Sequence, residues 1–559
     1  MSRKTVAAID AIDRLSERAE TLAGAWGARA RASTTLGQER ALLRLFGVTG
    51  VDRSGRPLAG AAVDRWLASA QDGLGGGVAL PFAMALLEYD LEPQQLAMDV
   101  ASGAVDLALE AELLREPDRR AVAEAEASRL AGAAIERMDS DRVARRELLD
   151  LLGEARLPWL GTTVAEPDLD GALDEVADLA AAGYDLLRVE VPIGREMADR
   201  MHDAGLEVPE WHPRERTAFR AARSTSGASG TGPGGEAGEL DTIEQAPSGS
   251  QRALARLRRI ADGVAAERRG YVRLGMAIPP LGVPEGAVVA AFERVDFVEA
   301  DPVAEIVAGG VDPDRSLADH AFARRLHRRA DTFVSIGPGP LVVAPDLASG
   351  VPSDVATRSG RALALQLVGV ALARADGIAA ERIVVGAYPG WLADEPAATA
   401  RVLAEVVIRR RAFPDQLMRF DEPPGRHAES ASAAAWPYVV AAALARAGTM
   451  SVVMRRAHAD PRRAASEGRA AAVTAAEVAE VSSPGPLGGA AEAHASAMVA
   501  AAMSTLERLA DLGWRAVVGE PPRRSDHGEG AVARSAIGGD AVAERTESFD
   551  PLGGLDPIR

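Results

Sequence analysis

Apolar positions along this chain change period near residue 153. Before it, runs such as QERALLRLFGV (Gln38 to Val48) and AMALLEYDLEPQQLAMDVASG (Ala83 to Gly103) repeat apolar residues at spacings of three and four. That spacing lines one face of a helix. Asp72 to Gly77, DGLGGG, punctuates the series, and no strand pattern interrupts it. Residues 1–152 are therefore predicted to be a helical accessory region.

From Pro158 onward, short apolar runs alternate with helical ones. The predicted strands are 158–164, 185–191, 271–277, 296–301, 332–337, 382–388, 416–420 and 450–455. Helical crossovers such as GALDEVADLAAAG (Gly171 to Gly183) and RALALQLVGVALARADG (Arg361 to Gly377) separate them. Eight strands with helical crossovers predict a closed (β/α)8 TIM barrel over 153–480, an α/β fold. A doubly wound open sheet is the competing topology. Ser224 to Gln251 is Gly/Ser-rich and acidic, and we expect a disordered insertion there. Residues 481–559 read as a C-terminal helix ending near Trp514, then a polar tail, loose from Pro521 on.

Composition narrows the chemistry. A net charge of −18 and a pI near 5.1 argue against nucleic acid as a partner, since a phosphate backbone needs a basic surface. The charged segment after Met1 and the lack of a long apolar run predict a cytoplasmic protein with no membrane span. With no cysteine there is no thiolate site, and of 63 basic residues only Lys4 is a lysine. Schiff-base chemistry with pyridoxal phosphate or a carbonyl substrate needs an amine. Lys4 lies in the terminal stretch, so another chain would have to supply one.

In such a barrel, catalytic groups project from the carboxyl ends of the strands. The stretch LLRVEVPIGREM (Leu186 to Met197) alternates, stops at Pro192 and Gly194, and opens a helix at Arg195 and Glu196. Arg195 thus stands where helix amides also face an anion. The fourth strand ends with Glu299 and Asp301, the seventh with Asp421, Glu422, Arg426 and His427, and the eighth with Arg455, Arg456, His458 and Asp460. Carboxylates, guanidinium groups and two imidazoles at one mouth match a small zwitterionic ligand. No Walker loop, dinucleotide fingerprint, nucleophile elbow or metal-spaced histidine pair is present. SDHGEG around His527 resembles a cobalt-ligating D-x-H-x-x-G loop but carries Ser525 in place of the aspartate.

The segments STTLGQERALLRLFGVTGVD (Ser33 to Asp52), PLAGAAVDRWL, GLGGGVALPFAMALL and LEPQQLAMDVASGAVDL resemble the α subunit of lysine 5,6-aminomutase. Similarity continues more thinly through ALDEVADLAAAGYDLLRV and ERVDFVEADPVAEI. The resemblance implies a TIM barrel working with adenosylcobalamin and pyridoxal phosphate on a small amino acid, with the amino group moved to the adjacent carbon by a radical route. It also implies a smaller β subunit whose Rossmann-like domain holds most of the cobalamin and which provides the lysine.

Carried over by position, the resemblance makes Asp301 the catalytic aspartate and Gly194 part of the phosphate grip, with Arg195, from its place at the strand-to-helix turn, expected as a relocated clamp. Glu299, Arg426, His427 and His458 are expected to bind substrate, and no metal is expected on this chain. The departures are specific. The family's Arg-Thr-Thr-Gly-Gln-Ser turn is Val191 to Glu196 here, keeping only the glycine, and the stacking tyrosine is Ala304. An aspartate and an asparagine become Gly339 and Pro340, and Arg426 replaces a lysine. A scaffold subunit with a decayed site, or a cobalamin mutase without pyridoxal phosphate, are the alternatives these changes leave open.

Overall fold

The computed structural model describes residues 3–52, 57–70, 73–164, 169–190, 247–278, 282–309, 311–337, 354–387, 398–421, 440–451, 457, 460–481, 489–518, 542–546 and 549–555. The chain opens with α1 (Arg3–Arg31), a short strand β1 (Ser33–Thr35) and α2 (Leu36–Leu45). Five more helices follow: α3 (Leu58–Ser69), α4 (Ala79–Tyr89), α5 (Pro93–Ser102), α6 (Leu107–Leu113) and α7 (Pro117–Leu152). Local chemistry sets their ends. Thr35 caps α2 by accepting from the Gln38 amide at 3.1 Å, while α5 starts on Pro93 and stops at Gly103, whose φ of 81° suits glycine.

Eight parallel strands then close into a barrel in chain order: β2 (Trp159–Thr163), β3 (Leu186–Glu190), β4 (Arg273–Ala277), β5 (Phe297–Glu299), β6 (Phe333–Ile336), β7 (Ile383–Ala387), β8 (Leu417–Asp421) and β9 (Thr449–Ser451). All eight lie within or beside the predicted runs. The surrounding helices are α8 (Leu169–Ala182), α9 (Pro247–Arg268), α10 (Val283–Phe292), α11 (Pro302–Gly309), α12 (Pro313–Ala330), α13 (Val355–Ala375), α14 (Ala398–Ala412), α15 (Pro461–Val481), α16 (Gly489–Leu512) and α17 (Arg515–Val518). Helix α13 is buried along most of its length because α1 and α16 cover its outer side. Gly360 makes that contact possible: a Cβ there would sit 2.3 Å from the Met498 carbonyl. Among the described residues, no helix is long and apolar enough to cross a membrane.

Two aspartates fasten the barrel at the strand entries. Asp185 Oδ2 accepts from the Leu160 amide at 3.0 Å, and Asp296 Oδ2 accepts from the Leu274 amide at 2.9 Å. Burying a carboxylate is costly without cationic partners. Arg268 and Arg469 serve Asp185 at 2.9 and 2.7 Å; Arg145 and Arg258 serve Asp296 at 3.0 and 3.1 Å. The Tyr271 hydroxyl also donates to Asp296 at 2.9 Å; burial first, then the Asp296 charge, pushes its pKa up to about 12. Because Arg145 lies on α7, this network also bolts the accessory helices to the barrel.

Two expectations change. The accessory region does contain a strand: β1 pairs antiparallel with β10 (Val542–Glu544), Ser33 opposite Glu544 and Thr35 opposite Val542. The pairing is invisible in a three-residue run whose partner lies some 500 residues away. By the same contact, part of the tail is docked, with Leu552 and Leu555 buried and Asp550 paired to Arg325 at 2.7 Å. The insertion expected over 224–251 falls outside the described residues up to 246, while 247–251 form the first turn of α9.

Candidate functional site

Side chains alternate between the barrel interior and the helical layer along each strand. Trp159, Leu186, Phe297, Phe333 and Val384 form one apolar cluster, with Trp159 and Phe333 edge to face at 5.2 Å. Arg273 covers this floor, its guanidinium 3.7 Å from the Trp159 ring centroid.

Two residues further along the same strands the interior becomes charged. Arg188 follows Leu186, Glu299 follows Phe297, Ser335 follows Phe333, and Arg419 follows Leu417. Arg188 Nη1 and Arg419 Nη1 both donate to Glu299 Oε1, at 2.9 and 2.5 Å. Arg419 also reaches Ser335 Oγ at 3.3 Å and, through Nε, Asp421 Oδ2 at 3.1 Å. Asp421 Oδ1 lies 3.8 Å from Arg188 Nη2, beyond hydrogen-bond range, and accepts no hydrogen bond among the described residues. Gly275 makes room for this layer, since its Cβ would stand 3.1 Å from Arg188 Cγ. The side chains keep partial exposure: 18% for Arg188, 27% for Glu299, 10% for Arg419 and 25% for Asp421.

The layer is electrically balanced, two guanidinium groups against two carboxylates. It offers no excess positive charge to a phosphate dianion; it matches a ligand group carrying both signs. The described residues alone thus do not make a pyridoxal phosphate cradle. Among them, no three His, Asp or Glu side chains converge as metal ligands.

Of the residues expected from the sequence, Glu299 is in this layer. Asp301 is elsewhere: β5 ends at Glu299, and Asp301 caps α11, Oδ1 accepting from the Val303 amide at 3.0 Å. Its Oδ1 would be 3.6 Å from a Cβ on Gly369 of α13, which places it against the helical layer. Burial pushes its pKa up to about 6, opposed by His320, the Val303 amide and Arg324. His320 in turn lies 3.2 Å from Glu305, which also accepts from Ser316 at 2.8 Å. Gly194, Arg195, Arg426, His427 and His458 lie outside the described residues. Arg188, Ser335 and Arg419 are additions. Their signal was a polar residue at the inward parity of an otherwise apolar strand.

The sequence model of the D-lysine 5,6-aminomutase TIM-barrel domain of the alpha subunit matches residues 8–201 and 248–433. The lysine 5,6-aminomutase alpha subunit of Acetoanaerobium sticklandii is 25% identical over 314 residues, 56% of this chain and 52% of its own length. The lysine 5,6-aminomutase alpha subunit of Fusobacterium nucleatum is 23% identical over 393 residues, 70% of this chain and 66% of its own. This chain therefore spans between about half and two thirds of the length of these curated relatives. Among solved structures, dihydropteroate synthase from Anaplasma phagocytophilum aligns with 57% of this chain and 99% of its own at a TM-score of 0.33 and 12% identity, too slight a likeness to bear on function.

Proposed function

This chain belongs to the D-lysine 5,6-aminomutase alpha-subunit family, and from that premise we propose that it is the barrel component of an adenosylcobalamin-dependent aminomutase. On this reading it moves an amino group to the adjacent carbon of a small amino acid, with pyridoxal phosphate assisting. The observation that carries the reading is the balanced charged layer of Arg188, Glu299, Arg419 and Asp421, set over an apolar floor at the carboxyl end of the barrel. Barrels of this class act at that end, and such a layer suits a substrate that is itself zwitterionic.

Adenosylcobalamin would supply hydrogen-atom abstraction, and pyridoxal phosphate a temporary hold on the migrating amino group. A smaller β subunit with a Rossmann-like domain would bring the cobalamin and the lysine amine. Lys4 supports the need for such a partner: it is the only lysine and sits in the first turn of α1, outside the barrel. Within this chain, Gly194 and Arg195 would face the phosphate, and Glu299, Arg426, His427 and His458 the substrate. Asp301 would act by holding the end of β5 through its cap on α11. The strand layer would keep water from the chamber floor and orient the substrate.

A second reading has its own support. Val191 to Glu196 has lost the hydroxyl donors of the family turn, which favours a cobalamin mutase working without pyridoxal phosphate. Co-expression with a partner chain carrying D-x-H-x-x-G and a lysine separates the two readings. The complex should absorb as both cofactors and convert D-lysine or another amino acid into its positional isomer. Cobalamin alone with turnover would establish the second reading; neither cofactor bound would overturn both and leave a scaffold.

A further inference from the structure

The four charged residues of the barrel layer are not equivalent. Glu299 offers one oxygen to two arginines, so its charge is spent on keeping them side by side. Asp421 is committed through one oxygen only, to Arg419 Nε at 3.1 Å. Its other oxygen is shielded from solvent, 3.8 Å from Arg188 Nη2, with no hydrogen bond among the described residues. A carboxylate oxygen left in that state is costly, and such atoms in native proteins call for an explanation. A layer of ion pairs in a barrel interior is itself poor value for stability compared with apolar packing.

We propose that Asp421 is the ammonium anchor of the substrate head group and a specificity-determining residue, with Arg419 and Arg188 taking the adjoining carboxylate. This rests on the reading of the barrel mouth as a substrate chamber and adds the direction of binding. The head group, amino and carboxylate on one carbon, goes inward to the strand layer. The remainder of the substrate points out of the mouth, toward the space where a partner chain would deliver its cofactors. A ligand lacking the ammonium leaves Asp421 Oδ1 unpaired; a ligand lacking the carboxylate forgoes the charge-assisted bonds to Arg419 and Arg188.

Arg188, Glu299, Arg419 and Asp421 all lie on this chain, so the test needs no partner. Calorimetric titration of the full chain with lysine, 6-aminohexanoate and 1,5-diaminopentane compares an intact head group with its deaminated and decarboxylated counterparts. Lysine should bind at least tenfold more tightly than either. Asp421→Asn should erase the preference over 6-aminohexanoate while keeping that over 1,5-diaminopentane. Equal binding of the three by the native chain, or no binding at all, overturns the assignment without any variant having to fold. So does an Asp421→Asn chain that weakens lysine and 6-aminohexanoate alike. A chain that binds as expected yet yields no isomer with its partner would instead overturn the proposed function and leave this site standing.

Discussion

Arg188 on β3 and Arg419 on β8 converge on one oxygen, Glu299 Oε1, at 2.9 and 2.5 Å. Two guanidinium groups pointed at one spot inside a barrel repel each other unless an anion stands between them. Glu299→Ala removes that anion, and with the partial exposure of the group we expect a loss of roughly 1–3 kcal/mol, below the range for a fully buried pair. Glu299→Gln keeps an acceptor and should recover part of the loss. Urea unfolding of the two variants measures it; equal stability of both with the native chain would show that the arginines do not depend on Glu299.

Asp301 predicts a pH effect of defined sign. Its folded pKa is raised to about 6 by burial, against an ordinary value of 3.8. Between those values the unfolded chain has released the proton while the folded chain keeps it, so stability falls as pH rises from about 4 to 6 and then levels. Asn still accepts the Val303 amide but does not titrate. Asp301→Asn should therefore gain on the native protein by roughly 2 kcal/mol between pH 4.5 and 7.5, at about 1.4 kcal/mol per pH unit. Denaturant midpoints at the two pH values check this, and a difference independent of pH would refute it.

How far the sequence disclosed the site depends on residue and face. The strands were legible because each is a short apolar run closed by turn residues, and Glu299 stood at the end of one. Arg188 and Arg419 were harder: a barrel strand is buried on both sides, so its pattern does not say which parity faces the axis. Asp301 lies on the same parity as Glu299 yet turns outward, because Pro302 starts α11 and makes it a cap. The buried set around His320 and Glu305 joins separate helices, and only tertiary packing brings it together.

The docked tail makes Gly75 a sensitive position. A Cβ there would stand 2.6 Å from the Glu544 carbonyl, on the strand that pairs with β1. Gly75→Ala should displace β10 and with it Leu552 and Leu555, each all but fully buried. Burying such a leucine contributes about 1.5–3 kcal/mol, so unfolding stability should drop by roughly 1–3 kcal/mol and protease cleavage near residue 545 should accelerate. Native-like resistance in the variant would show that the tail does not depend on this close approach.

His327 gives the opposite pH sign from Asp301. It lies on α12 with neither ring nitrogen hydrogen-bonded among the described residues, and burial lowers its pKa to about 3, helped by the charges of His320 and Arg324. Below the ordinary value of 6.5 the unfolded chain takes up a proton that the folded chain refuses, so stability is lost as pH falls from 6.5 toward 3. Replacing an unpaired buried polar ring by an apolar group of similar size removes the titration and the desolvation together. His327→Leu should therefore match or exceed the native chain at pH 7.5. At pH 5 it should be ahead by a further 2 kcal/mol or so, about 1.5 pH units at 1.36 kcal/mol each. Urea unfolding at pH 7.5 and 5 reads both quantities. An advantage that does not grow on acidification would show that His327 accepts a proton in the folded state.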